Sequence, residues 1–260
     1  MTDSAALLGL HDDQVRGTVA DRLPSGWKPS WDGPVLRVAT PARGIVFARH
    51  LDAVPGDELD ALVGRTIEFF ADQGLPFEWK TYGHDRPDLP GRLAATGFAP
   101  GPEETVVIGP AADLVDAGVA PGGIRIRATT APDDLRRIAD LQSEVWNADW
   151  SWLADDLADR IASGPDNIVV LVAEAGSTIV STAWLVILPG TEFASLWGGS
   201  TLLGLRGRGI YRALVAQRAR IAVQRGIRYL WVDASADSGP ILRRLGLRAV
   251  TTTTPWVWTP

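Results

Sequence analysis

The segment Gly204-Leu205-Arg206-Gly207-Arg208-Gly209-Ile210-Tyr211 holds the most specific chemistry in the chain. It links a stretch that reads as a strand, Phe193 to Thr201, to one that reads as a helix, Tyr211 to Arg225. A glycine-rich turn at a helix N-terminus leaves backbone N–H groups without partners. They point at one concavity, where the helix dipole also favours an anion. Glycine has no Cβ and lets the backbone approach such an anion closely. Each charge-assisted hydrogen bond contributes on the order of 1.5–3 kcal/mol, so several of them could hold a pyrophosphate. Two other phosphate loops fail here: no lysine completes a Walker pattern, and Arg212 stands where the dinucleotide fingerprint needs its last glycine. A turn that merely links strand to helix is the competing reading.

Arginines crowd the same region: Arg206, Arg208, Arg212, Arg218, Arg220, Arg225, Arg228, Arg243, Arg244 and Arg248, opposed only by Asp233 and Asp237. Such a cluster reads as an anion site, because the guanidinium fork suits phosphate, or else as a solvated helix face. Asp233 is the sole carboxylate in the stretch Tyr229 to Ala234. Facing a cleft, its pKa would rise on burial; paired with a nearby arginine, it would be structural. Glu192 and Glu144 are further candidate bases. Ser235 and Ser238 follow Asp233 and can donate a proton or cap a helix. The histidines, His11, His50 and His84, share no metal-ligand spacing.

These residues need elements to position them. A first unit reads as a helix over Ala5 to Ala20, a loop from Leu23 to Pro34, and a strand-rich stretch from Val35 to Ala48. A helix opens at Pro55-Gly56-Asp57-Glu58, with proline and acidic residues in its first turn. The strand Phe77 to Tyr82, the short helix Leu89 to Ala95 and the strand Thr105 to Ile108 follow. The uncharged run Ala117 to Gly123, rich in glycine, reads as a linker. The second unit reads as the strand Ile124 to Ala128, a helix with the core stripe Leu135, Ile138, Leu141 and Val145, and a second helix from Trp152 to Ala162. Strands Ile168 to Ala173, Thr178 to Leu188 and Phe193 to Thr201 lead to the loop and its helix. Tyr229 to Ala234, Ile241 to Leu245 and Ala249 to Val257 close the chain. Both units share a strand–helix–Gly-apolar–strand ending, at Gly97-Phe98 and at Gly246-Leu247, which duplication and convergence explain equally well. Gly198-Gly199 inside a strand predicts a bulge or a close backbone approach.

In this order of elements, Arg206-Gly207-Arg208-Gly209-Ile210-Tyr211 resembles the acetyl-CoA signature of the GNAT superfamily of N-acetyltransferases, Arg/Gln-x-x-Gly-x-Gly/Ala. Tyr211 departs from the small residue at its last position. The resemblance covers roughly residues 124–260, and Leu242 to Leu247 looks like that family's last helix. It implies an α/β (α+β) fold, with a mixed, mostly antiparallel sheet flanked by helices. It implies that N–H groups from about Gly207 to Tyr211, with Arg206 beside them, bind the CoA pyrophosphate. It further implies that Gly199, Ser200, Thr201 and Leu202 run beside the pantetheine arm, with a bulge parting this strand from its neighbour. Ser235 joins this expected cofactor set, and Asp233, Ser238 and Glu192 the catalytic one. Leu242 stands where the family often has a tyrosine acid and cannot donate a proton. The first unit looks like a degenerate copy of the fold, so two domains are expected, 1–120 and 121–260. Trp146-Asn147-Ala148-Asp149-Trp150-Ser151-Trp152 lies between the two helices the family uses around the acceptor. Tryptophan faces and Asp149 would attract a cation, so a small-molecule or peptide amine is the expected acceptor; core packing of these tryptophans is the alternative.

The whole chain sets the outer bounds. Its 260 residues are 46% hydrophobic and 22% charged, a globular composition. With no cysteine there are no disulfides, thiolate metal sites or acyl-cysteine intermediates, so transfer is most simply direct attack by the acceptor. The net charge of −6 divides into −8 over residues 1–120 and +2 over 121–260. An acidic chain without a recognised motif argues against nucleic acid. The apolar runs are too short to span a bilayer and the start does not read as a secretory signal. A cytoplasmic N-acetyltransferase, monomer or homodimer, is the resulting expectation; a CoA-binding or sensory protein without turnover is its rival.

Overall fold

The computed structural model describes residues 3–24 and 26–260. In chain order its elements begin with helix α1 (Ser4–His11), strands β1 (Lys28–Asp32), β2 (Val35–Ala39) and β3 (Gly44–Ala48), and helix α2 (Gly56–Ala71). β4 (Phe77–Tyr82), α3 (Leu89–Ala95), β5 (Ala99–Pro100) and β6 (Glu104–Pro110) follow. Then come β7 (Ile124–Ala128), α4 (Pro132–Trp146), α5 (Leu153–Ser163), β8 (Ile168–Ala175), β9 (Thr178–Ile187) and β10 (Phe193–Thr201). α6 (Ile210–Gln224), β11 (Tyr229–Ala234), α7 (Gly239–Arg244) and β12 (Arg248–Trp258) complete the set. The chain has the expected α/β character, with sheets that are mostly antiparallel and flanked by helices.

Two compact units form, and they do not follow a single cut in the sequence. One comprises Met1–Val107, Asp233–Ile241 and Arg248–Pro260; the other comprises Ile108–Val232 and Leu242–Leu247. The last strand therefore belongs with the first unit, where a division at residue 120 would not put it.

In the first unit the strand order is β1-β2-β3-β4-β12-β6, with β5 beside β12. β3 and β4 are parallel; the pairs β1/β2, β2/β3 and β4/β12 are antiparallel. α2 forms where Asp57 and Glu58 face the positive end of its dipole, and it buries Leu59, Leu62, Val63 and Phe70. Phe77, Trp79 and Trp256 join that core. The stretch expected as a loop from Leu23 to Pro34 instead contains β1, in which Trp31 pairs with Leu36 across the ladder. Its proline, Pro29, is tolerated because β1 is an edge strand; Ser25 of that stretch lies outside the described residues. The expected helix from Ala5 to Ala20 is α-helical only to His11 and continues as a π-turn over Asp12–Arg16.

In the second unit the order is β11-β10-β9-β8-β7, parallel at β10/β11 and antiparallel elsewhere. Strand alternation sorts the apolar residues to two faces. Val170, Val172, Ile179 and Trp184 pack under α4 and α5. Leu171, Ala173, Val180 and Ala183 pack under α6. The run expected as a linker carries neither strand nor helix from Ala117 to Gly123. No helix among the described residues is long and apolar enough to cross a membrane.

Candidate functional site

The site begins at the parallel pair β10/β11. It is in register from Phe193↔Tyr229 to Ser195↔Trp231, and the strands then separate. Beyond Ser195, β10 keeps β9 as a partner and offers its other edge. Its ladder with β9 slips between Trp197 and Ser200, leaving Gly198 and Gly199 without partners in the register. This is the bulge predicted from the paired glycines. Both must be glycine for steric reasons. Gly198 has φ +60, and a Cβ there would lie 1.8 Å from the Trp184 ring. A Cβ on Gly199 would lie 2.6 Å from the ring of Tyr211. The large residue at the last signature position thus fills the space that Gly199 leaves open.

Polar groups fix the bulge from the α4 face. Gln142 Nε2 donates to Thr182 Oγ1 at 2.9 Å and to Gly198 O at 3.0 Å. Its Oε1 accepts from Ser200 Oγ at 2.8 Å and from Trp146 Nε1 at 2.9 Å. Ser181 Oγ donates to Ser200 O at 2.6 Å. The buried amide of Gln142 is therefore fully satisfied, which suits a polar group in a core. Neither Gln142 nor Thr182 stood out in the sequence. The available signal was a polar residue next to the apolar stripe Leu135, Ile138, Leu141 and Val145.

The strand runs on into the loop. Leu202 N–H donates to Val180 O at 3.0 Å, so that donor is already used by the protein. Ser200 and Thr201 turn their hydroxyls inward, toward Gln142 and Ser181 respectively. Arg206 Nε donates to Thr201 O at 3.1 Å, tying the loop back to the strand end. Gly207 and Gly209 have φ +76 and +88, values that L side chains rarely adopt, and Gly209 is the N-cap of α6. Among the described residues, no protein acceptor takes the backbone N–H groups from Gly207 through Arg212. Those of Gly209 through Arg212 are the donors that every helix start leaves free, and the glycine turn adds Gly207 and Arg208 to them. Arg208 and Arg212 are exposed beside them. Arg218, grouped with them by sequence, is buried at 1% exposure and unavailable to an anion at the loop.

The remaining candidates fall as follows. Asp233 lies on β11 beyond its last residue paired with β10. Its Oδ2 accepts from Lys80 Nζ at 2.8 Å, while Oδ1 is buried with no partner. The expected structural partner is thus a lysine and not an arginine. Burial works against the Lys80 charge, but the Asp233 carboxylate, together with Tyr82 and Glu78, raises the ammonium pKa. Glu104 is pushed up by burial and by Asp233, against Lys80. Glu192 precedes β10 at the end opposite the bulge and pairs with Arg228 at 3.1 Å. With about 3.3 Å of rise per residue, Glu192 lies far from Gly198, so it leaves the set of candidate bases. Glu144 is exposed on α4. Ser235 Oγ accepts the Ser238 N–H at 3.4 Å and lies 3.2 Å from Ser238 Oγ, so Ser235 caps the turn that leads into α7, where the sequence suggested a helix cap. Leu242 is wholly buried. Trp146 and Trp152 are about half exposed, and Trp150 stacks on Trp152 with ring centroids 5.3 Å apart. Asp149 is held below the usual carboxylate range by the backbone N–H of Ser151. Among the described residues, no group of three or more acidic, histidine or cysteine side chains could hold a metal.

The first unit repeats the strand pattern without the loop. β3 and β4 are in register from Gly44↔Phe77 to Val46↔Trp79 and then separate. Arg16 occupies that gap. Its Nη2 donates to Ala48 O at 3.1 Å and to both oxygens of Asp85, and its guanidinium lies 3.9 Å over the Tyr82 ring. Asp12 and His84 complete the network around it. The helix that follows β3 opens on Asp57 and Glu58, which would repel a phosphate.

Comparison with known proteins agrees with this geometry. The acetyltransferase (GNAT) family model matches residues 133–246. No curated protein matches the chain. Among solved structures, a GCN5-related N-acetyltransferase from Kribbella flavida superposes with a TM-score of 0.70 at 16% identity, covering 100% of this chain and 96% of its own. A tandem GNAT protein from the clavulanic acid biosynthesis pathway, solved without acetyl-CoA, gives 0.66 at 14% identity, over 94% and 86%. A GCN5-related N-acetyltransferase from Sphaerobacter thermophilus gives 0.64 at 18% identity, over 98% and 91%. Residues 133–246 match the acetyltransferase (GNAT) family model, and the fold of the chain is that of solved GNAT proteins.

Proposed function

We propose that the protein is an acetyl-CoA-dependent N-acetyltransferase that passes the acetyl group directly to an amine. One observation carries this reading: the row of unpartnered N–H groups from Gly207 through Arg212, at the end of a strand that bulges and has parted from β11. Acetyl-CoA supplies an activated acetyl thioester. On this reading the loop binds its pyrophosphate through those N–H groups, with Arg208 and Arg212 adding charge. The free edge of β10 over Gly199 to Thr201 orients the arm. Gly207 and Gly209 leave room for an anion where a Cβ would intrude.

Asp233 is the proposed base. Oδ2 is held by Lys80, which leaves the buried Oδ1 as the oxygen without a hydrogen bond and the one to take a proton. A positioned base contributes roughly 10²–10⁴-fold. The half-exposed Trp146 and Trp152, with Asp149 nearby in sequence, favour a cationic amine, small molecule or peptide. Two GNAT-like halves that meet in sequence near residue 120, with β12 returning to the first, and a cytoplasmic location are parts of the same proposal. The rival reading, CoA binding without turnover, draws on the burial of Leu242 at the tyrosine position.

Thiol release from acetyl-CoA in the presence of an amine panel separates the two. Release that depends on an amine supports the enzyme. CoA binding with no release across a broad panel supports the rival. Binding itself is read by thermal unfolding, because CoA at 100 times its dissociation constant should stabilise the fold by about 2.7 kcal/mol.

A further inference from the structure

Arg218 sits on α6 with Tyr211 and Leu214 on the same helix face, at i−7 and i−4. It is 1% exposed. Its Nε donates to Leu214 O at 3.2 Å, and its Nη1 to Trp197 O at 3.2 Å and Trp184 O at 3.4 Å. Trp197 and Trp184 are the last register pair before the bulge. The Tyr211 hydroxyl faces the same guanidinium, and Nη2 is buried without a hydrogen bond of ordinary geometry. Among the described residues Arg218 makes no ion pair. Burial draws its pKa down to about 10, with Tyr211 opposing the shift.

A buried guanidinium without an ion pair is costly, and an apolar residue of similar volume would pack the same space without that cost. What an apolar residue could not do is hold two carbonyls of neighbouring strands where their ladder breaks. The Tyr211 ring meanwhile closes on Gly199, on the far side of the slip. Gln142 holds Gly198 O from the opposite face. The bulge is thus pinned from α4 by Gln142 and from α6 by Arg218 and Tyr211.

We propose that Arg218 and Tyr211 are a positioning pair that sets the backbone of the β10 bulge, and so orients the reacting end of the acyl donor without contributing to its affinity. This rests on the acetyl-CoA reading above. The pair acts through its side chains, and the loop donors from Gly207 through Arg212, the Tyr211 N–H among them, are backbone groups that neither substitution removes, so affinity and turnover separate.

The test uses the full-length protein with Arg218→Met and Tyr211→Phe, the second removing only a hydroxyl and serving if the first fails to fold. Amide hydrogen exchange over residues 196–202 is compared with that over 207–212, alongside CoA affinity and kcat per folded molecule. The expected result is faster exchange over 196–202 in both variants, with 207–212 unchanged. CoA affinity should stay within about threefold of the wild type, while kcat falls by up to about 100-fold in Arg218→Met, the scale of a misplaced reacting group. Tyr211→Phe should fall less, and the double variant no further than Arg218→Met. A purely structural role would lower Tm and leave kcat per folded molecule unchanged. Wild-type exchange over 196–202, or wild-type kcat, in a folded variant overturns the pair. If the wild type itself neither binds CoA nor releases thiol, the acetyl-CoA reading fails. The exchange comparison then still decides whether the pair sets the bulge.

Discussion

Gly198 is the most constrained residue at the site. Its positive φ and the Trp184 ring leave no room for a side chain. Gly198→Ala must move a buried tryptophan or flatten the bulge, and should destabilise by about 2–4 kcal/mol. Denaturant unfolding measures this. Asp233→Asn keeps the shape of the side chain and removes its basicity. It should lower kcat by roughly 10²-fold or more, across the pH range in which thiol release is followed. Full turnover in that variant would remove Asp233 from the mechanism. The strength of the sequence reading at this scale varied with how local the cause was. Gly198-Gly199 and the αL glycines announce themselves, because backbone geometry restricts residue type. The Lys80 partner of Asp233 lies 153 positions away and leaves no local trace. Arg218 looked like its neighbours because charge alone does not say which face of a helix is buried.

At the scale of elements, the α6 start and the β7–α4 junction make separate predictions. Gly209→Ala forces a side chain into φ +88 at the helix N-cap. It should weaken CoA binding about tenfold or more, measured by calorimetry, since each charged hydrogen bond lost costs about 1.5–3 kcal/mol. At the other junction, Arg127 donates to Asp134 and Glu174, each at 2.6 Å. Its hydrogen bonds are the main reason that both carboxylates sit below their usual range. Depressed carboxylates contribute stability above their unfolded pKa values, about 4, and lose it as pH falls through the folded ones. Arg127→Met should therefore cost about 2–3 kcal/mol at pH 7, and the difference from wild type should shrink below about pH 4. Denaturant midpoints at the two pH values check this. Most strands and helices were legible because apolar periodicity marks them. β1 was missed because prolines and the exposed Trp31 mask an edge strand whose pairing is set by β2.

For the molecule as a whole, the two units differ in what fills the gap between their parallel strands. The first fills it with Arg16, the second leaves a free strand edge and loop donors. CoA should accordingly slow hydrogen exchange in residues 196–212 and leave residues 44–48 and 77–82 unchanged. Protection of the latter segments would contradict the assignment of the cofactor to the second unit alone. Sequence alone suggested a cut near residue 120, because a glycine-rich run is visible locally. The return of β12 to the first unit was not visible, since strand pairing between distant segments leaves no compositional mark.

That return has a consequence for synthesis. β12 is the antiparallel partner of β4, and Trp256 lies in the core of the first unit. The ribosome delivers residues 1–107 early and residues 248–258 only after the whole second unit. At about 5–20 residues per second, β4 waits on the order of 10 s for its partner. During that interval the nascent first unit presents an open strand edge and an unfinished aromatic core. Its folding is then gated by the arrival of β12, and a chaperone-accessible intermediate is built into the order of the elements along the chain.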